Sequence, residues 1–131
     1  MVQQGEAKLV NEWLRLNHPQ ALQWKRVRLG PLPNKQLSQL FKVAQRWADA
    51  IYLEDDVIHI VEAKVRPTAT AIGQLELYRE LFPDTPEFSQ FRGKAIKLIF
   101  LTTADDVPIR RLCDEKGIEY VVFAPEFIVR R

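Results

Sequence analysis

The chain has 131 residues, a length that fits one domain over 1–131, and 47% of them are hydrophobic, enough to bury a core without covalent staples. Its net charge of +2 and sequence pI near 8.8 are mildly basic, compatible with a polyanionic partner but not diagnostic of one. A single cysteine, Cys113, excludes an intrachain disulfide, a cysteine zinc site and an iron–sulfur cluster; with a polar start, MVQQGEAKLV, and no apolar run near the ~20 residues of a membrane span, the expectation is a soluble cytoplasmic protein.

In chain order, EAKLVNEWLRLNHP sets Ala7, Leu9, Val10, Trp13, Leu14 and Leu16 near helical spacing, with Pro19 beyond the end. ALQWKRVRLG mixes β-branched, aromatic and basic residues without that period, which predicts an edge strand ending at Gly30-Pro31. In LPNKQLSQLFKVAQ, Leu37, Leu40, Phe41 and Ala44 suit a short helix opened by Pro33-Asn34, and equally a loop running into a strand. WADAIYL is extended, EDD is a turn centred on Asp55-Asp56, and VIHIVEAKV is a strand. ATAIGQLELYRELF repeats its apolar positions every three or four residues and stops at Pro83, a helix. FPDTPEFSQFRGK reads as a loop, AIKLIFLTTA as a buried strand, DVPIRRLCDEKG as a helix with an acidic start and a Lys-Gly end, and IEYVVFA as a last strand. The α/β order, with a hairpin early and strand–helix–strand units late, predicts a mixed central sheet flanked by helices.

The strand VIHIVEAK carries the first chemical signal. Side chains alternate along a strand, so Ile58, Ile60, Glu62 and Lys64 share one face while Val57, His59, Val61 and Ala63 share the other. An apolar face that ends in an acid and a base suits a sheet face opening into a cleft. If EDD joins two antiparallel strands, Asp49 falls opposite Glu62, within a residue, beside Lys64. Two adjacent carboxylates repel unless a cation lies between them. Magnesium suits such a site, because it accepts one or two protein carboxylates, keeps waters, and completes its shell with phosphate oxygens. The Ala63 backbone carbonyl is a third candidate ligand, and Lys64 a candidate for orienting water or stabilising a pentavalent phosphate. On these residues alone a solvated ion pair is an equal alternative. Gln74 and Tyr78, four apart on the next helix, add two polar groups to one helical face.

In that order and on those elements, Asp49, Glu62-Ala63-Lys64 and Gln74-x-x-x-Tyr78 resemble the PD-(D/E)XK nuclease superfamily, the last pair being similar to its RecB-like and lambda-exonuclease-like branches. The resemblance runs from the first helix through Ala95–Leu101 and implies a restriction-endonuclease-like αβββαβ core. It further implies a deoxyribonuclease dependent on Mg²⁺, with Mn²⁺ able to substitute, in which Asp49 and Glu62 are metal ligands, Lys64 is the catalytic lysine, and Gln74 and Tyr78 are auxiliary. Many members add a glutamate from the first helix; Glu12 is the first candidate and Glu6 the second. The residue before Asp49 is Ala48 where a proline is common. For contacts to DNA phosphates, Arg66 is best placed, with Lys25, Arg26, Arg28, Arg79, Arg92, Lys94 and Lys97 as further candidates. A homodimer would help so small a chain grasp a duplex. The rival reading is a nuclease-fold module that binds DNA or assembles, for example in a phage particle, without cutting. His18 and His59 lack candidate co-ligands and read as structural, and Cys113 reads as buried filler.

Overall fold

The computed structural model describes residues 4–31 and 46–126. The proposed short helix over 33–44 lies outside them. The elements are α1 (Gln4–Asn17), β1 (Leu22–Arg28), β2 (Trp47–Glu54), β3 (Val57–Lys64), α2 (Thr70–Leu81), β4 (Ala95–Thr102), α3 (Val107–Glu115) and β5 (Ile118–Val122). The stretch expected to be a loop before β4 instead forms two 3₁₀ turns, Phe82–Asp84 and Pro86–Phe91. Pro83 and Pro86 supply helical φ in their first turns. Phe82 and Phe88 are buried, and both Phe88 and Phe91 pack edge-on against Trp24.

The five strands lie in sequence order in one mixed sheet. β1, β2 and β3 pair antiparallel, and β3, β4 and β5 pair parallel. The crossovers between parallel neighbours place α2 and α3 on one face of the sheet, where both pack into the same core. Ala71, Ile72, Leu75 and Tyr78 of α2 and Cys113 of α3 fill a core there with Ile51, Ile58, Ile60, Leu98 and Phe100. On the opposite face α1 buries Leu9, Val10, Trp13 and Leu14 against Ala50, Tyr52, Val61, Ala63, Ile99 and Leu101. β3 therefore divides as alternation demands, with Ile58 and Ile60 toward α2 and Val61 and Ala63 toward α1.

β2 and β3 form a hairpin with a two-residue loop. Glu54 pairs with Val57, and Asp55 and Asp56 have φ of 53° and 64°. Positive φ at both central residues marks a type I′ turn, whose twist matches that of the flanking strands. The register runs unbroken from this turn to Ala50 opposite Val61, and one further step sets Asp49 opposite Glu62.

The two histidines have structural settings. His18 and His59 stack on Tyr52 with ring centroids 4.6 and 4.3 Å away, and His18 Nδ1 lies 2.9 Å from Glu54 Oε1. Burial pushes the Tyr52 hydroxyl above its ordinary range and His59 below its own.

Candidate active site

The site lies where β2 begins and β3 ends, on the side of the sheet that α2 covers. Glu62 is 5% exposed. Its Oε2 lies 3.5 Å from Lys64 Nζ, the two side chains sharing a face two residues apart on β3. Its Oε1 is 3.2 Å from the Tyr78 hydroxyl, which also lies 2.9 Å from the Trp47 carbonyl. A phenol has one proton, so Tyr78 cannot fully satisfy both acceptors while Glu62 is ionised. When Glu62 is protonated it can donate to Tyr78, and Tyr78 can donate to Trp47.

Asp49 holds β3 directly: the Ala63 N–H donates to Asp49 Oδ2 at 2.7 Å. The carboxylate thus stands where a backbone carbonyl of the neighbouring strand would normally accept. The N–H and C=O of one residue leave an extended strand on the same side, so the Ala63 carbonyl also faces the Asp49 edge. This irregularity is local to β1 and β2. Lys25 pairs with Ala50 and Val27 with Ala48, but between them Arg26 has φ 54°, outside the extended range. Trp24 and Val27, three apart, reach the same core, as do Ala48 and Ile51, which a regular strand forbids. Left-handed backbone at a residue other than glycine costs about 1–3 kcal/mol, and such positions cluster at functional sites.

Both acids are driven toward their neutral forms. Burial, and then the charge of Asp49, push the Glu62 carboxyl up to about 8 against the pull of Lys64 and Tyr78. Burial also raises Asp49, opposed by the Ala63 N–H and Lys64, with Glu6 adding repulsion and Arg26 attraction. Burial and then the Glu62 charge raise the Tyr78 hydroxyl. Two adjacent buried carboxylates whose charged forms are disfavoured, with a backbone carbonyl on the same edge, are chemically suited to a hard divalent cation. Among the described residues no group of three His, Cys, Asp or Glu side chains converges as a metal cluster.

Of the two glutamates considered on α1, Glu12 is not brought to this pair. It lies on the outer side of the helix and forms an ion pair with Arg15. Glu6 is on the inner side, accepting the Val65 N–H at 3.1 Å and lying near enough to raise Asp49. The signal was in the spacing: Glu6 precedes Leu9 and Val10 by three and four residues and Trp13 by seven, so it continues the buried stripe, whereas Glu12 does not. Val65 is also held through its carbonyl, which accepts from Thr103 at 2.6 Å, so the backbone just past Lys64 is fixed at both ends. Gly5 allows this approach, since a Cβ there would sit 3.2 Å from Val65 Cγ2.

Gln74 shares the inner face of α2 with Tyr78, and its Oε1 is buried without a hydrogen-bond partner among the described residues. Arg66 is exposed two residues beyond Lys64. Lys25 and Arg28 bracket the Arg26 irregularity on β1, Lys25 exposed and Arg28 donating to the Pro31 carbonyl at 3.2 Å. Arg79 lies in the last turn of α2. Lys94 and Lys97 are at the far end of the sheet, paired with Asp56 and Glu119, and Arg92 donates to the Pro83 carbonyl. Cys113 is buried on α3, its thiol pushed up to about 11 by burial. Sequence reasoning placed no special weight on Arg26, because a left-handed backbone leaves no mark in composition or period.

No protein-family model matches the chain, and no curated protein matches it by sequence. Solved structures do. A repair endonuclease from Pyrococcus abyssi superposes with a TM-score of 0.59 at 16% identity, over 95% of this chain and 49% of that one. EndoMS in complex with double-stranded DNA gives 0.56 at 17% identity over 100% and 48%, and apo EndoMS gives 0.54 at 20% over 95% and 48%. The fold is restriction-endonuclease-like. The chain spans about half the length of these neighbours. Within that fold, the Asp49–Glu62 pair is built by the β2–β3 hairpin, Lys64 ends β3, and Tyr78 returns from the crossover helix α2. No helix among the described residues is long and apolar enough to cross a membrane.

Proposed function

We propose that this chain is a divalent-metal-dependent nuclease that hydrolyses phosphodiester bonds of DNA. One observation carries the reading: Glu62, almost fully buried, stands next to Asp49 on a paired hairpin, with the Lys64 ammonium 3.5 Å away. A fold that needed only stability would gain by replacing such a pair with apolar residues. The neighbours include a repair endonuclease and a complex with double-stranded DNA, which favour DNA as the substrate.

Asp49, Glu62 and the Ala63 carbonyl would hold Mg²⁺, with Mn²⁺ as a substitute. Such an ion, when bound, lowers the pKa of water and neutralises charge on a phosphate. The chain does the rest. Tyr78 and the Ala63 N–H fix the two carboxylates in place. Glu6 and Thr103 hold the backbone that carries Lys64. Lys64 presents a positive charge where negative charge develops as water attacks phosphorus. Gln74, whose Oε1 is an unused acceptor, is placed to receive a hydrogen bond from a water or a nucleotide. Arg66, Lys25, Arg28 and Arg79 provide charge for the flanking phosphates.

The test is cleavage of plasmid and of labelled duplex and single-stranded oligonucleotides in Mg²⁺, Mn²⁺ or EDTA. The expected result is cutting that EDTA abolishes and that Asp49→Ala, Glu62→Ala and Lys64→Ala each remove while the folded state persists by circular dichroism. Full activity in any of the three variants refutes the assignment. Binding without cutting under either metal would support the DNA-binding module instead.

A further inference from the structure

Arg26 has a feature that packing does not explain. It sits within β1, yet its backbone is left-handed, and its side chain belongs to neither core. The guanidinium lies over the Trp47 ring, 5.1 Å from the centroid. Trp47 is also the residue whose carbonyl receives the Tyr78 hydroxyl, so the ring under Arg26 is tied to the Glu62 network. Among the described residues, no carboxylate is within ion-pair distance of Arg26. The β1–β2 register, with Lys25 paired to Ala50 and Val27 to Ala48, sets Arg26 across from Asp49. The chain therefore keeps a cation stacked on Trp47 across from Asp49, its N–H fork unpaired with any carboxylate among the described residues.

We infer that Arg26 is the clamp for the reacting phosphate, its guanidinium, braced on Trp47, donating to the non-bridging oxygens of the phosphodiester that the Asp49 and Glu62 edge receives. The inference rests on the nuclease reading and extends it. A guanidinium suits the task because its planar fork matches two phosphate oxygens, and because it stacks on an aromatic face. Charge counting agrees. One divalent ion balances the two carboxylates. A phosphodiester brings one negative charge, and hydroxide attack adds a second as the new P–O bond forms. That charge leaves with the departing sugar oxygen as the old P–O bond breaks and the oxygen is protonated by water. Lys64 and Arg26 are the two cations that match this pair of charges.

The experiment compares wild type with Arg26→Ala, Arg26→Lys and Arg26→Gly on a duplex substrate in Mn²⁺. Arg26→Ala is expected to lower kcat by ~10²-fold, as removal of one transition-state donor does, with a smaller change in KM. Arg26→Lys is expected to recover part of that loss, charge being kept and the fork lost. Arg26→Gly relieves the left-handed strain, so its melting temperature is expected to be no lower than wild type although its activity falls with that of Arg26→Ala. Mn²⁺ binding by calorimetry is expected to survive in all three. A wild-type kcat in Arg26→Ala, or a loss of activity fully accounted for by lost Mn²⁺ binding or lost folding, overturns the inference. A second arm separates it from the nuclease reading: binding of a labelled duplex in Ca²⁺. If wild type binds without cutting in any metal, the nuclease reading fails. The clamp of a reacting phosphate falls with it, whereas cutting by wild type together with a wild-type kcat in Arg26→Ala overturns the clamp alone. Neither cutting nor binding by wild type overturns both.

Discussion

Glu62→Gln should make the metal-free protein more stable at alkaline pH, although it removes one partner of an ion pair. The unfolded carboxyl titrates near 4.5, and in the folded chain burial and Asp49 raise it to about 8. An acid whose folded value is raised binds more protons in the native state than in the unfolded one between those two values. Stability is therefore greatest below the unfolded value and falls as pH rises through the folded one. Each unit of displacement is worth about 1.4 kcal/mol, so the ionised carboxylate costs the fold several kcal/mol at its ceiling, with little solvent relief because Glu62 is 5% exposed. Glutamine keeps the acceptor for Tyr78 and never ionises. A kilocalorie moves the melting point of a chain this size by roughly 4 °C. In EDTA, the two proteins should melt together near about pH 5, and Glu62→Gln should exceed wild type by ~5 °C or more near about pH 9. Adding Mn²⁺ at the higher pH should raise wild type and leave the variant unmoved. Parallel melting curves across that range, or a variant less stable than wild type at the alkaline end, would refute the claim that the acids repel one another in a shielded setting.

Lys64→Met removes the cation that opposes the rise of Glu62, so the pH at which Mn²⁺ binding reaches half its maximum, read by calorimetry, should move upward; an unchanged profile would argue that Lys64 does not feel the pair. Tyr78→Phe leaves the Trp47 carbonyl and Glu62 without their shared donor, and urea denaturation should report a loss of roughly 1–3 kcal/mol. Glu6→Gln should reduce cleavage while Glu12→Gln leaves it within about twofold of wild type, since an exposed i,i+3 pair is worth only tenths of a kcal/mol; the opposite ranking would restore Glu12 to the site.

Much of the architecture was legible because the apolar period is strong in the elements that carry the core. β3 alternates cleanly until Glu62, and α2 repeats Ala71, Ile72, Leu75 and Tyr78 on one face. The hairpin was readable because an Asp-Asp pair between two apolar runs can accept the conformation a tight turn demands. The two 3₁₀ turns were not, because their three phenylalanines have no helical period and derive their order from burial against Trp24 and one another. At the site, alternation set Glu62 and Lys64 on one face, and the turn then brought Asp49 to them. The placement of Glu6 followed from a stripe that could have been extended one turn toward the N-terminus. The left-handed backbone of Arg26 followed from nothing local, since no glycine, asparagine or turn signal marks that position in β1.

The Asp55–Asp56 turn lies several residues from the acids, yet it sets their meeting. It works as the pivot of a pair of tongs whose arms must be of equal length. One residue inserted there would shift every cross-strand partner, turning either Asp49 or Glu62 out of alignment while leaving both strands intact. Variation at this distant bend should therefore be constrained twice over: no change of length, and few residue types besides glycine, asparagine and aspartate, since both central residues have positive φ.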